Sequence, residues 1–135
     1  MIVADTNLIV GLCVDGEPTP QAEAIYEMDS VWAVPMLWRS EFRNALAKYL
    51  QHRRMEMGQA LVAMHMAEET INGREYSVES RKVLELAADS GCSAYASEFI
   101  ALAVDLGVSL VTSDKQVLRA FPKLAWSPEN YLKQK

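Results

Sequence analysis

Short, almost unbroken apolar runs punctuate this chain, and most end abruptly on an acid, a hydroxyl or a proline. "MIVA" at Met1–Ala4 stops at Asp5, and "VWAVP" at Val31–Pro35 ends on its proline. Runs of this length without polar alternation suit strands of a parallel sheet covered on both faces, because a sheet with one wet face alternates with period two. Further strand candidates are "CSAY" at Cys92–Tyr95, "VSLVT" at Val108–Thr112 and "LAW" at Leu124–Trp126.

Helical periodicity fills the intervals. "TPQAEAIYEM" begins where Thr19 can cap and Pro20 fits a first turn. "MLWRSEFRNALAKYLQHRRM" spaces Leu37, Phe42, Ala45, Leu46, Tyr49 and Leu50 into one apolar stripe, and "EMGQALVAMHMAEETI" follows as its antiparallel partner. "SVESRKVLELAADSG" opens on Ser77 as a cap and closes on Gly91, and "SEFIALAVDLG" again ends on glycine. Strands separated by helices predict a single domain over residues 1–135. Its fold class is α/β, a three-layer α/β/α sandwich with a central, mostly parallel sheet of four to five strands and an inserted helical hairpin.

Composition narrows the classes. With 135 residues, half of them hydrophobic and 23% charged, the chain can bury a core, and it lacks the charge-rich bias of disorder. No apolar run approaches the length of a membrane span, and Asp5 interrupts the start, unlike a secretory leader; a cytoplasmic protein is expected. Cys13 and Cys92 lack metal-ligand spacing and are expected as buried thiols. A net charge of −5 disfavours wholesale coating of nucleic acid. Arg39, Arg43, Lys48, Arg53 and Arg54 nevertheless gather between positions 39 and 54, either as a solvated helix surface or as a patch that meets RNA phosphates.

The chemistry lies where strands end. In parallel sheets ligands bind beyond the carboxyl ends of the strands, where "VADTN" puts Asp5 and "VTSDK" puts Asp114. Each aspartate alone reads equally as a helix cap. Glu41, near the start of the long helix, would bring a third carboxylate to the same edge. Such a cluster repels itself without a counter-ion, and oxygen-only ligands select a hard cation, Mg²⁺ or Mn²⁺, which points to phosphodiester chemistry.

These stretches, "VADTNLIV", "PMLWRSEFRNAL", "CSAYASEFIALA" and "GVSLVTSDKQVLRAFP", together resemble the PIN-domain family, and within it the VapC-type toxins of bacterial toxin–antitoxin pairs. The resemblance runs almost end to end. It implies a metal-dependent ribonuclease on an α/β/α sandwich, usually a homodimer, silenced by a cognate antitoxin protein. It also implies that Asp5, Glu41 and Asp114 are the catalytic metal ligands, and that Asn7, Asn44 and Thr112 support the site, Asn44 alternatively serving the helix pair. Cleavage would leave a 5′-phosphate and a 3′-hydroxyl.

One position departs from the pattern. Similar proteins carry aspartate where this chain has Ala96, so the site lacks an expected fourth acid and impaired activity is predicted. Glu98, about 200° further round the helix, is expected to face away. The alanine is either native to this chain or a substitution that makes a toxic nuclease tolerable. Two other readings compete: a non-catalytic PIN-fold module that binds RNA or protein, and a receiver-like domain using Asp5, Thr112 and Lys115. Met55, Met57, Met64 and Met66 are either core filling or adaptable surface for an antitoxin segment. Trp32, Trp38 and Trp126 are expected in packing.

Overall fold

The computed structural model describes residues 1–134. Its elements run β1 (Ile2–Ala4), α1 (Thr6–Cys13), α2 (Thr19–Met28), β2 (Trp32–Pro35), α3 (Trp38–Gln51), α4 (Met57–Ile71), β3 (Glu75–Tyr76), α5 (Ser80–Ser90), α6 (Ala94–Leu106), β4 (Leu110–Val111), α7 (Lys115–Ala120), β5 (Ala125–Trp126) and α8 (Pro128–Lys133). The five strands form one sheet in the order β3-β2-β1-β4-β5, and every neighbouring pair is parallel.

Strand side chains alternate between two cores. Ile2 and Ala4 of β1, Trp32 and Val34 of β2 and Val111 of β4 join residues of α1, α2, α3, α4 and α8 on one face. Val3, Ala33 and Leu110 point to the other, against Phe99, Ile100, Leu102 and Ala103 of α6 and Val117 of α7. This makes three layers, helix on sheet on helix, and explains why the strands read as continuous apolar runs. The helical hairpin α3–α4 is inserted between β2 and β3. It is anchored by Trp38, Phe42 and Leu46, one turn apart on α3 and buried, against Ala60, Ala63, Ala67 and Ile71 of α4. Burying side chains as large as Trp38 and Phe42 contributes on the order of 1.5–3 kcal/mol each.

Several sequence expectations shift. "CSAY" is not a strand: the Ser93 hydroxyl accepts from the Ala96 amide at 3.0 Å and caps α6, so the segment opens a helix. The third strand is instead Glu75–Tyr76, an edge pair too short and polar to register as an apolar run. Thr19 does not cap α2; its hydroxyl donates to the Gly11 carbonyl at 2.7 Å and accepts from the Gly16 amide at 3.1 Å, which cinches the preceding loop. Ser77 does not cap α5, which starts at Ser80 after Glu79. The helix α8 went unanticipated although "SP" is a start signal, with Ser127 accepting from the Asn130 amide. The order β3-β2-β1-β4-β5 also differs from the 2-1-3-4-5 order of receiver-like domains, which removes that reading.

Both cysteines are buried and free, and Trp32 and Trp38 are fully enclosed. No helix among the described residues is long and apolar enough to cross a membrane.

Gly107 closes α6 at φ +66°, and nothing lies within 4 Å of where a Cβ would sit. Gly107→Ala is therefore expected to destabilise the fold through the left-handed backbone alone, by about 1–2 kcal/mol. A lower urea midpoint with an unchanged slope is the check.

Candidate functional site

The sheet order creates the site. From β1 the strand sequence proceeds to β2 and β3 on one side, then returns to place β4 and β5 on the other. The carboxyl ends of β1 and β4 thus flank a topological switch point, where connecting segments diverge and leave a crevice. Asp5 is the first residue after β1, Thr112 the first after β4, and Asp114 follows two positions later. Glu41 sits in the first turn of α3.

A chain of hydroxyls holds these acids. Thr112, buried, donates from Oγ1 to Asp5 Oδ2 at 2.7 Å and accepts from the Asp114 backbone amide at 3.1 Å. Asp5 Oδ1 accepts from the Thr6 amide at 2.8 Å, and the Thr6 hydroxyl donates to Glu41 Oε1 at 2.7 Å. Asp114 Oδ1 accepts from the amides of Gln116 and Val117 at 2.9 and 3.2 Å. The capping geometry of both aspartates is therefore present, but it does not exhaust their oxygens. Among the described residues neither Asp114 Oδ2 nor Glu41 Oε2 has a hydrogen-bond partner. The tie from Thr6 to Glu41 spans 35 residues and leaves no local signal in the sequence.

The electrostatics are strained. Burial pushes the Asp5 carboxyl above its ordinary range, hydrogen bonds from Thr112 and Thr6 pull it partly back, and the Asp114 charge pushes it up again. Burial likewise raises Glu41, offset by Thr6 and reinforced by the charges of Asp5 and Glu98. Among the described residues neither acid forms an ion pair with a lysine or arginine.

That donor set fits a hard divalent cation: oxygens only, two of them free, with excess negative charge. No group of three acid, histidine or cysteine side chains among the described residues forms a ready-made cage. Magnesium does not require one, since it keeps several waters and takes one or two carboxylates together with substrate phosphates.

Two grooves meet at the acids. The larger, about 580 Å³, runs from Asp5, Asn7 and Glu41 past Asn44 to Lys48, Tyr49, His52 and Arg54. The smaller, about 400 Å³, is bounded by Asp5, Asn7, Glu41 and Asp114 on one side and Ser93, Tyr95 and Ala96 on the other. Asn7 and Asn44 are exposed in these walls. Ala96 lines the smaller groove beside the acids. Glu98 is absent from that wall, yet it is near enough to Glu41 to raise its pKa, so it does not simply face away.

Arg39 is a correction. Its guanidinium grips both oxygens of Glu75 at 2.8 and 3.1 Å, meets Glu68, and lies 5.4 Å from the Trp38 ring centre, so it ties α3 to β3 and α4 rather than being held out for phosphates. Arg43, Arg53 and Arg54 are exposed, and of these only Arg54 lines the larger groove. His52, given no role from sequence, lines it as well. Met57 and Met66 are exposed on α4, whereas Met55 and Met64 are partly buried against the core.

Neither a protein-family model nor a curated protein matches this chain. Solved structures do. PAE2754 from Pyrobaculum aerophilum aligns with TM-score 0.78 at 20% identity, covering 98% of this chain and 87% of its own. FitAcB from Neisseria gonorrhoeae aligns with TM-score 0.69 at 17% identity, covering 96% and 99%. The fold is shared over at least 96% of the chain. The architecture is PIN-like.

Thr112 is the site's keystone, and Thr112→Val removes its hydroxyl at nearly constant volume. Losing both bonds to a buried group is expected to cost about 1–3 kcal/mol. The Asp5 midpoint, already raised, should rise further, as followed by carboxyl NMR titration. For Asp5 and Glu41 the raised folded-state pKa means that the stability they contribute is present below the ordinary carboxylate range and is lost as pH climbs through the raised midpoints.

Proposed function

We propose that this chain is a metal-dependent endoribonuclease, the toxin component of a toxin–antitoxin pair. The observation that carries the reading is the threonine-linked cluster of half-buried Asp5 and Glu41 with exposed Asp114, mutually repelling and, among the described residues, without an ion-pair partner. The PIN-like fold and the sequence resemblance supply the reaction class.

Asp5, Glu41 and Asp114 would hold Mg²⁺ or Mn²⁺, which when bound supplies an activated water and neutralises charge on the scissile phosphate. The chain's own residues prepare for this. Thr112 and Thr6 hold carboxylate oxygens in fixed directions and lower the pKa of the acids they touch, favouring the ionised form a cation needs. Asp5 and Asp114 stand at the amino ends of α1 and α7, and Glu41 lies in the first turn of α3, so helix termini favour the charges as well. Asn7 and Asn44 offer amides to the water or to RNA. Lys48, His52 and Arg54 lie along the larger groove and suit the backbone phosphates of single-stranded or looped RNA. Arg43 and Arg53 extend the same basic surface.

The reading includes a homodimer and an antitoxin partner in the cytoplasm. Met57, Leu61, Val62 and Met66, all exposed on α4, give such a partner adaptable apolar contact. A second reading, a PIN-fold module that binds RNA or protein without cutting, is favoured by Ala96 in the groove wall.

Mn²⁺ titration by calorimetry, with cleavage of a labelled RNA in parallel, separates them. Ala96→Asp is expected to bind metal more tightly and to cut about tenfold faster or more than the chain as it stands, and Asp114→Asn to abolish both. If neither the chain nor Ala96→Asp binds metal or cuts, the binding module is the correct account. For the groove, Lys48→Ala and Arg54→Ala should weaken RNA binding at all sequences. Each should reduce the slope of log affinity against log salt by about 0.7.

A further inference from the structure

A third cavity, about 340 Å³, opens at the carboxyl ends of β2 and β3. Met36, the residue after β2, and Tyr76, the last of β3, form one wall, and Leu84 of α5 forms another. Ser77 and Ser80 add hydroxyls. Met36 and Leu84 are 53% and 63% exposed, and both line this opening. Its volume is at the small end of the range for ligand pockets.

Glu98 of α6 lines the same cavity. It is half-buried and, among the described residues, makes neither a hydrogen bond nor an ion pair. A partly desolvated carboxylate among apolar walls is unfavourable until donors reach it. Its charge also acts on Glu41, which puts the cavity next to the cluster that would meet the scissile phosphate.

The chemistry selects the occupant. Apolar and aromatic side chains such as Met36, Tyr76 and Leu84 suit contact with an unstacked nucleobase, and an ionised carboxylate only accepts. Guanine alone presents two adjacent donors on its Watson–Crick edge, N1–H and the N2 amino group. Cytosine and adenine place an acceptor nitrogen beside their amino group, and uracil flanks its one N–H with carbonyls. We propose that this pocket receives an unstacked guanine of single-stranded RNA, with Glu98 accepting from N1–H and N2–H while Met36, Tyr76 and Leu84 enclose the ring. The assignment rests on the ribonuclease reading above and names the base that it would select.

The test compares short uridine-rich oligoribonucleotides carrying one guanine or one inosine, which lacks the N2 amino group, by fluorescence anisotropy on the full chain. The guanine oligonucleotide should bind roughly tenfold tighter. Glu98→Gln, a near-isosteric change at a half-buried position, should bring the two within about twofold of each other. Guanosine 5′-monophosphate and inosine 5′-monophosphate, titrated against the amide spectrum, give a readout independent of cleavage: guanosine monophosphate should shift Tyr76, Ser77 and Glu98 at lower concentration. Equal affinity for the two oligonucleotides, or discrimination that survives Glu98→Gln, overturns the pocket and leaves the nuclease standing if metal-dependent cleavage is intact. Guanine selectivity that depends on Glu98 in a protein whose Ala96→Asp form never cuts supports the pocket and removes the nuclease. Absence of binding by both oligonucleotides and both nucleotides overturns the pocket.

Discussion

One hydroxyl joins this fold to its chemistry. Thr112 Oγ1 donates to Asp5 at 2.7 Å and accepts from the amide of Asp114 at 3.1 Å, linking positions 107 residues apart in sequence. It can do so because β1 and β4 are parallel neighbours in register, with Ala4 opposite Val111, so that both strands deliver their next residue to the same edge. The all-parallel order keeps that edge open, since each strand must leave it by a helix. Were β4 antiparallel to β1, Asp114 would emerge at the far edge of the sheet, and the acids would be separate helix caps.

Capping and catalysis are often set against each other when an aspartate follows a strand. Here the cap is what aims the acid. Asp114 Oδ1 is fixed by two amides of α7, which leaves Oδ2 directed away from its own helix and without a partner among the described residues. Asp5 uses one oxygen on α1 and the other on Thr112. The positive ends of α1 and α7, together with that of α3 near Glu41, offset part of the repulsion among the acids, but burial still raises Asp5 and Glu41. The remaining deficit is what a cation would satisfy.

Legibility in the sequence followed the physics of burial. The central strands β1, β2 and β4 carried continuous apolar runs because both their faces are covered, and the acids after β1 and β4 could be read from position alone. The edge strand β3 carried none: Glu75 and Tyr76 are half-buried, and Glu75 serves Arg39 rather than a core. "CSAY" misled because its alanine and tyrosine resemble a strand, while the decisive feature was the Ser93 hydroxyl at a helix start. Arg39 misled because charge counting along a helix cannot see Glu68 and Glu75 arriving from elsewhere in the chain. The Thr6–Glu41 tie was equally invisible, being a contact between α1 and α3, which α2 and β2 separate in the chain.

Ala96 gains its meaning from the same balance of charge. Its methyl lines the groove shared with Asp5, Glu41 and Asp114, acids whose charges act on one another and which form no ion pair among the described residues. A carboxylate at position 96 would add a fourth charge to a site whose apo form is under electrostatic strain, raising the folding cost without metal and the affinity for metal together. Alanine adds no charge, which eases the fold, and on the proposed reading it would also leave a cation one oxygen donor fewer. On that reading, stability without metal and strength of metal binding would be opposed at this position, and the residue placed there would set the balance between them.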